Sequence, residues 1–378
     1  MTAARLVARC IRGLEEVVAA EILALDLGAV TRVEHRAVHF RSAGPRPWAT
    51  GPSTADDVFV VAARGPDIGP AKAGLARLTD LAAQADLTAP MRMRERRAGP
   101  STGVEVSASF LGRRAFNRYD AEDAVGEVLA RRLGTAYCSR RDGRTPPPTH
   151  SGWRLTLDGV HATLMLRISA RPLHRRPYKR RSIPGTLHPP VAAAMARLAD
   201  IRPGHTVLDP CCGAGTLLIE AAHHQPQARL HGLDLSPDAV AAARANAAGL
   251  PIAVTHGDAA RLPFPAGGVD RILCNPPWGA RVRPGGLLAA SPDRWWRELR
   301  RVLAPDGMAV LLLPAPADIA AGIGHGLVPA RVQRIRVAGA QPFLACFRAP
   351  DRSGGRRPPE TAPSRRAAPP APPGCGTP

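Results

Sequence analysis

From about residue 186 onward, segments of strand character and helix character alternate, and no other feature of the chain narrows the fold as far. HTVLDP (205–210) runs into a glycine turn and then TLLIEAAHH. RLHGLDL (229–235) precedes a helix framed by Ser236 as N-cap, Pro237 at its first position and Gly249 just past its end. IAVTHGD, VDRILCNPPW, the helix RWWRELRRVL, the strand GMAVLLLP and the two-strand stretch ARVQRIRVAGAQPFLACFRA complete the series. The alternation predicts an α/β fold with a doubly wound, Rossmann-like parallel sheet. In such a sheet the ligand crevice lies at the carboxyl ends of the strands, so strand ends are where chemistry is sought.

The preceding residues, to about 170, read as a mixed α+β region with no catalytic cluster. LVARC begins as a strand. A helix with Leu14, Val17, Val18, Glu21, Ile22 and Leu25 at helical spacing follows, and then VTRVEHRAVHF alternates like a strand. VFVVAAR (58–64) is expected as a strand, AGLARLTDLAAQA (73–85) as a helix, 120–133 as a helix with Asp120 as N-cap, and 152–168 as a two-strand hairpin. From about Pro350 the chain is rich in Pro, Gly, Arg and Ser and has almost nothing to bury, which predicts disorder.

Charge and composition exclude several classes. Lys+Arg number 51 against 31 Asp+Glu, a net charge of +20, and an excess of that size points to a polyanionic partner, nucleic acid before membrane surface. Only Lys72 and Lys179 are lysines, and neither fits a phosphate-binding P-loop, so ATP-driven chemistry of that kind is out. No run approaches the ~18 apolar residues of a membrane span, and Glu15, Glu16 and Glu21 break up any leader-like pattern at the start. The seven cysteines show no C-x-x-C spacing, which supports neither a zinc site nor a disulfide framework. The expectation is a cytoplasmic protein with no metal and no membrane association.

Three strand ends carry the chemistry. Asp209-Pro210-Cys211-Cys212-Gly213-Ala214-Gly215-Thr216 is a glycine turn between strand and helix, where backbone approaches a ligand closely. A dinucleotide fingerprint would want a third glycine at 218, which is Leu218, and an undiluted helix N-terminus for pyrophosphate. Asp209 at the mouth of the loop instead suits a cationic or zwitterionic ligand without phosphate, such as S-adenosylmethionine. A structural turn requiring positive φ at Gly213 and Gly215 is the plainer alternative. Asp234 ends the next strand, placed to accept ribose hydroxyls, and Asp258 follows the third strand, where it would meet an adenine edge. At the fourth, Asn275-Pro276-Pro277-Trp278 locks an extended turn. The Asn275 side-chain oxygen and the Pro276 carbonyl can accept both protons of an exocyclic amine, while Trp278 offers a face for stacking the base.

On RGLEEVVAAEI, ISARPLHRRPYKRR, DPCCGAGTLLIEAA and NPPWGAR, residues 1–347 resemble the THUMP-domain RNA guanine-N2-methyltransferases, with 186–347 similar to class I S-adenosylmethionine-dependent methyltransferases of the amino-N type. The resemblance implies a ferredoxin-like segment (1–45), a THUMP-like RNA-binding region (46–170), a basic linker (171–185), a methyltransferase domain (186–349) and a tail (350–378). It implies that Asp209, Gly213 and Gly215 contact the methionine end of the cofactor, Asp234 the ribose and Asp258 the adenine. Asn275, Pro276, Pro277 and Trp278 would then hold a guanine of structured RNA, in relatives a tRNA acceptor-stem guanine at position 6. Phe or Tyr is common where this chain has Trp278. From Gly159 to Ala199 eight Arg/Lys occur with no acid, and Arg171, Arg175, Arg176, Lys179, Arg180 and Arg181 are expected to grip the RNA backbone. A second arginine concentration runs from Arg92 to Arg118. The alternatives are an rRNA guanine-N2-methyltransferase, a DNA adenine-N6-methyltransferase, which shares the Asn/Asp-Pro-Pro-aromatic turn, and a non-catalytic RNA-binding protein. A monomer is expected.

Overall fold

The computed structural model describes residues 3–42, 51–277, 279 and 282–350. Trp278 and the tail beyond residue 350 lie outside the described residues. The first half contributes strands β1 (Arg5–Arg9), β2 (Gly28–Glu34), β3 (Ala37–Ser42), β4 (Asp57–Pro66), β5 (Gly103–Phe110), β6 (Ala136–Tyr137), β7 (Ser151–Leu157) and β8 (His161–Arg167). Its helices are α1 (Glu15–Ala24), α2 (Leu75–Gln84), α3 (Thr88–Ala98) and α4 (Arg118–Leu133). The strands form one sheet in the order β2-β3-β1-β4-β8-β7-β5-β6. The expected division after residue 45 therefore separates strands of a single sheet, since β1 pairs with β3 on one side and β4 on the other. Alternation sends Leu6, Ala8, Val58, Val60, Leu164 and Leu166 to one face, where they bury against Val18 and Ile22 of α1, Leu78 of α2 and Val125 and Leu129 of α4.

Three local readings change. VTRVEHRAVHF is a hairpin, turning at His35-Arg36 with Arg36 at φ +61. A non-glycine residue in that conformation leaves no sequence signal for the turn. The N-cap of α4 is Asn117, whose side chain accepts from the amides of Tyr119 (2.8 Å) and Asp120 (3.1 Å). Asp120 is the third helical residue and bonds back to the Asn117 amide (2.9 Å), closing a capping box. Finally, α3 and β5 occupy the stretch that sequence periodicity left unassigned.

The second half follows the predicted alternation. Helix α5 (Pro189–Leu198) leads into β9 (Thr206–Asp209), α6 (Thr216–His224), β10 (Arg229–Asp234), α7 (Pro237–Asn246), β11 (Ile252–His256) and β12 (Val269–Cys274). Then come α8 (Gly286–Ala290), α9 (Pro292–Val302), β13 (Leu303–Leu313), α10 (Pro316–Gly324), β14 (Val328–Arg334) and β15 (Phe343–Arg348). The order is β11-β10-β9-β12-β13-β15-β14, parallel except that β15 runs antiparallel to both neighbours. From β9 the chain winds one way through β10 and β11, then returns to β12 on the other side. The reversal places the ligand crevice over the ends of β9 and β12. Trp295 and Trp296 of α9 are core residues, packed with Leu299 and Phe347.

The two halves share a helix. Val18 and Ile22 of α1 belong to the first core, whereas Ile11, Leu14 and Val17 join the second, beside Ile335 and Val337. Buried Glu21 accepts from the amides and hydroxyls of Ser53 and Thr54 (2.5–3.0 Å) and faces Arg197 of α5 at 3.5 Å.

Candidate active site

The carboxyl ends of β9, β10, β11 and β12 open into one cavity of about 850 Å3. Asp209, Gly213, Asp234, Asp258, Asn275, Pro276 and Pro277 all line it. Residues 50 or more positions apart in sequence converge there because each follows a strand of the same parallel sheet.

Asp209 is buried, and one carboxylate oxygen accepts from the Cys211 amide (3.1 Å). Burial pushes its carboxyl well above the usual range, and the neighbouring Asp234 charge adds to that against the Cys211 amide. Asp234 accepts from the Gly213 amide (2.8 Å) with one oxygen and from the Ser236 amide (2.9 Å) with the other. Each oxygen has about two acceptor sites, so both keep capacity for a hydroxyl. Asp258 likewise accepts from Ala260 (2.8 Å) and Leu287 (2.9 Å), and a Cβ at Gly286 would come within 2.4 Å of its carboxylate. Gly286 (φ +57) is thus what lets the α8 segment close on Asp258.

The two loop glycines do different work. Gly213 (φ +51) lines the cavity, and a Cβ there would meet nothing closer than 3.9 Å. Gly215 (φ +80) does not reach the cavity wall: it caps α6, and a Cβ would crowd Ala243 of α7 at 3.2 Å. Its place is in helix packing. The half-buried Asn275 lines the cavity, and its carboxamide has no hydrogen-bond partner among the described residues. Cys212 and Cys274 are buried, and burial drives both thiols up, so they stay protonated and apolar.

Sequence reasoning missed Thr186, Leu187 and His188, which also line the cavity. The signal was the run His188-Pro189-Pro190, which opens α5 with prolines at its first positions. Asp56, from just before β4, holds the His188 ring at 2.7 Å, so the first half of the chain reaches the cavity wall. Asn246 at the end of α7 was also missed. Its oxygen accepts from the Arg180 (3.0 Å) and Arg181 (2.8 Å) amides, and its nitrogen donates to the Arg181 and Ala214 carbonyls (2.9 Å each). One buried amide, with all its capacity used, ties the basic segment to the glycine loop.

The basic segment is not uniform. Arg171, Arg175, Arg180 and Arg181 are exposed, and Lys179 lines the cavity with its ammonium pushed down by burial. Arg176 departs from the expected RNA contact. Its guanidinium donates to buried Glu220 of α6 (2.8 Å), to the Ser53 carbonyl (2.6 Å) and to the Leu173 carbonyl, while Tyr178 also donates to Glu220 (2.5 Å). Arg176 is a strut between the halves. In the second arginine concentration, Arg94 is buried against the Gly99 carbonyl, and Arg114 grips Asp67 with two bonds (2.6 and 2.9 Å). Among the described residues no group of three or more His, Cys, Asp or Glu is placed to hold a metal, and no helix is long and apolar enough to cross a membrane.

Comparison with known proteins closes the question of family. Residues 176–328 match the RMKL-like methyltransferase domain, and residues 5–44 match the RlmL ferredoxin-like domain. The tRNA (guanine(6)-N2)-methyltransferase of Thermus thermophilus is 35% identical over 247 residues, covering 63% of this chain and 70% of that protein. The chain belongs to the THUMP-class RNA guanine-N2-methyltransferases. The crystal structure of TrmN from Thermus thermophilus superposes with a TM-score of 0.73 at 29% identity, over 92% of this chain and 99% of that one. The U6 snRNA (guanine-N(2))-methyltransferase THUMPD2 of Bos taurus is 34% identical over 193 residues, which is 50% of this chain but only 36% of that protein. As a member of this family the chain is an S-adenosylmethionine-dependent methyltransferase acting on RNA. The cavity suits that cofactor: three carboxylates at strand ends, and no lysine or arginine in the glycine loop, favour a ligand bearing an ammonium and a sulfonium.

Proposed function

We propose that this chain methylates the exocyclic N2 amine of a guanine in tRNA, in the acceptor stem at position 6. The supporting observation is that the three strand-end carboxylates and Asn275-Pro276-Pro277 share one cavity. In this reading Asp209 and the Gly213 backbone hold the methionine end, Asp234 takes the ribose hydroxyls on its free acceptor sites, and Asp258 faces the adenine. S-adenosylmethionine supplies a methyl group made electrophilic by its sulfonium. The uncommitted Asn275 oxygen and the Pro276 carbonyl accept the two amine protons, which points the nitrogen lone pair into the cavity. Pro277 keeps the turn extended, and stacking on the base is the role the family resemblance gives Trp278. No strong base is required, because the proton leaves readily once the nitrogen has become cationic; positioning and exclusion of water carry the rate. Exposed Arg171, Arg175, Arg180 and Arg181, with Lys179 at the rim, neutralise RNA phosphates beside the pocket. The enzyme is read as a monomer.

The test is incubation of the purified chain with labelled S-adenosylmethionine and unmodified tRNA, rRNA or DNA, followed by nucleoside mass spectrometry. N2-methylguanosine from tRNA is the expected product. Label confined to rRNA moves the substrate, and N6-methyladenine from DNA overturns the reading.

A further inference from the structure

The face of the eight-stranded sheet turned away from its helices carries several arginines that no carboxylate reaches at ion-pair distance among the described residues. Leu6, Phe40, Val60, Leu155 and Leu164 enter the helix-covered core, so Arg5, Arg41, Val61, Arg154 and Thr163 point to the other side. A small apolar cluster made only of strand residues, Val7, Ala37, Phe59 and Met165, floors that side. Arg5 lies directly opposite Arg41 in the β1–β3 register. Like charges so paired are destabilising on their own. Both are exposed, and together with Arg32 and Arg64 they ring a depression of about 240 Å3 that also presents Thr31 and Thr163.

None of Arg5, Arg41, Arg64 and Arg154 has a carboxylate at ion-pair distance among the described residues. Arg64 meets the His161 ring (3.1 Å), and Arg154 meets the hydroxyls of Ser107 (3.3 Å) and Ser109 (2.7 Å). Of the acids nearby, Glu34 is engaged by Arg32 and His39, and Asp57 and Glu105 by Arg167, while Glu122 acts on Arg154 from beyond ion-pair distance. Burial, then Arg9 and Arg36, push the Arg154 guanidinium down to about 10, as befits a cation in positive surroundings.

We propose that Arg5, Arg41 and Arg64 form a seat for the phosphodiester backbone of the substrate RNA. Guanidinium forks and threonine hydroxyls are the donors that phosphate oxygens take. Asp56 links this sheet to the cavity, since its amide donates to the Arg9 carbonyl (2.7 Å) and its carboxylate holds His188. Along β1, Arg5 lies about 13 Å beyond Arg9 at ~3.3 Å per residue. A nucleic-acid strand, with its closely spaced backbone phosphates, crosses that distance within a few nucleotides. This seat rests on the reading of the substrate as RNA.

The experiment measures binding of an unmodified tRNA transcript to the full chain between about 50 and 200 mM salt, with R5Q/R41Q and R5K/R41K variants. R5Q/R41Q is expected to weaken binding about tenfold at fixed salt and to make the log–log salt slope shallower by about two. R5K/R41K should keep the wild-type slope, and S-adenosylmethionine binding by calorimetry should be unchanged in both, showing an intact fold. Wild-type affinity and slope in R5Q/R41Q overturn the seat. A wild-type chain that neither binds nor methylates tRNA overturns the substrate reading and the seat together, whereas methylation by wild type with an unchanged slope in R5Q/R41Q removes the seat alone.

Discussion

The two sheets use their strands in opposite ways. The seven-stranded sheet places its working residues at strand ends, where Asp209, Asp234, Asp258 and Asn275 meet although each belongs to a different βα unit. The eight-stranded sheet carries its charge across a face, where Arg5, Arg41 and Arg64 come together only through the pairing of β1, β3 and β4. End-of-strand sites can be evolved or damaged one loop at a time. A face is a collective property, and the removal of one arginine dilutes it without abolishing it.

That contrast can be broken most sharply at Asn275. Replacing it by Ala should lower kcat by roughly 10²–10³-fold, the scale of losing one positioning group in an enclosed site, with S-adenosylmethionine affinity unchanged by calorimetry. Near-normal methylation by this variant would remove the amine-holding role. The joint between the sheets comes next. Arg176→Ala leaves the Glu220 carboxylate buried with only Tyr178, and about 3 kcal/mol of unfolding free energy in urea should be lost. Replacing both partners together, Arg176→Met with Glu220→Leu, should recover most of that loss.

The smallest effect is the pH dependence of cofactor binding. Burial pushes the Asp209 carboxyl up in the free protein, and a bound ammonium would favour its charged form. Cofactor affinity should therefore fall as pH is lowered through its titration, by at most about tenfold per pH unit. Proton release should show as a buffer-dependent calorimetric enthalpy below that point, and Asp209→Asn should abolish both. A pH-independent affinity for the wild-type chain places the ammonium elsewhere.

The same contrast explains what could be read from sequence. Strands β9 to β13 were legible because they alternate regularly with helices, and their ends carry the conspicuous residues: the glycine loop, Asp234 before the Ser236-Pro237 cap, and the Asn275-Pro276-Pro277 turn. The eight-stranded sheet was less legible. Its β2–β3 turn uses Arg36 at positive φ rather than glycine, and its arginines gain meaning only through long-range register. Arginine density along the chain was a poor guide within that half. Arg94 and Arg114 are internal fasteners, while isolated Arg5 and Arg41 stand side by side. Asn246 and Arg176 were invisible as struts because their partners lie 32 and 44 residues away across the fold.

Helix α1, with Val18 and Ile22 in one core and the neighbouring Ile11, Leu14 and Val17 in the other, has a consequence for anyone recombining such proteins. The basic segment looks like the natural place to cut, but a chimera spliced there would bring a foreign α1 against Ile335 and Val337. Each of the three displaced side chains contributes about 1.5–3 kcal/mol of burial. The exchangeable unit is therefore the front half together with the surface that receives its first helix, and specificity for a new RNA has to be grafted across that seam as a matched pair.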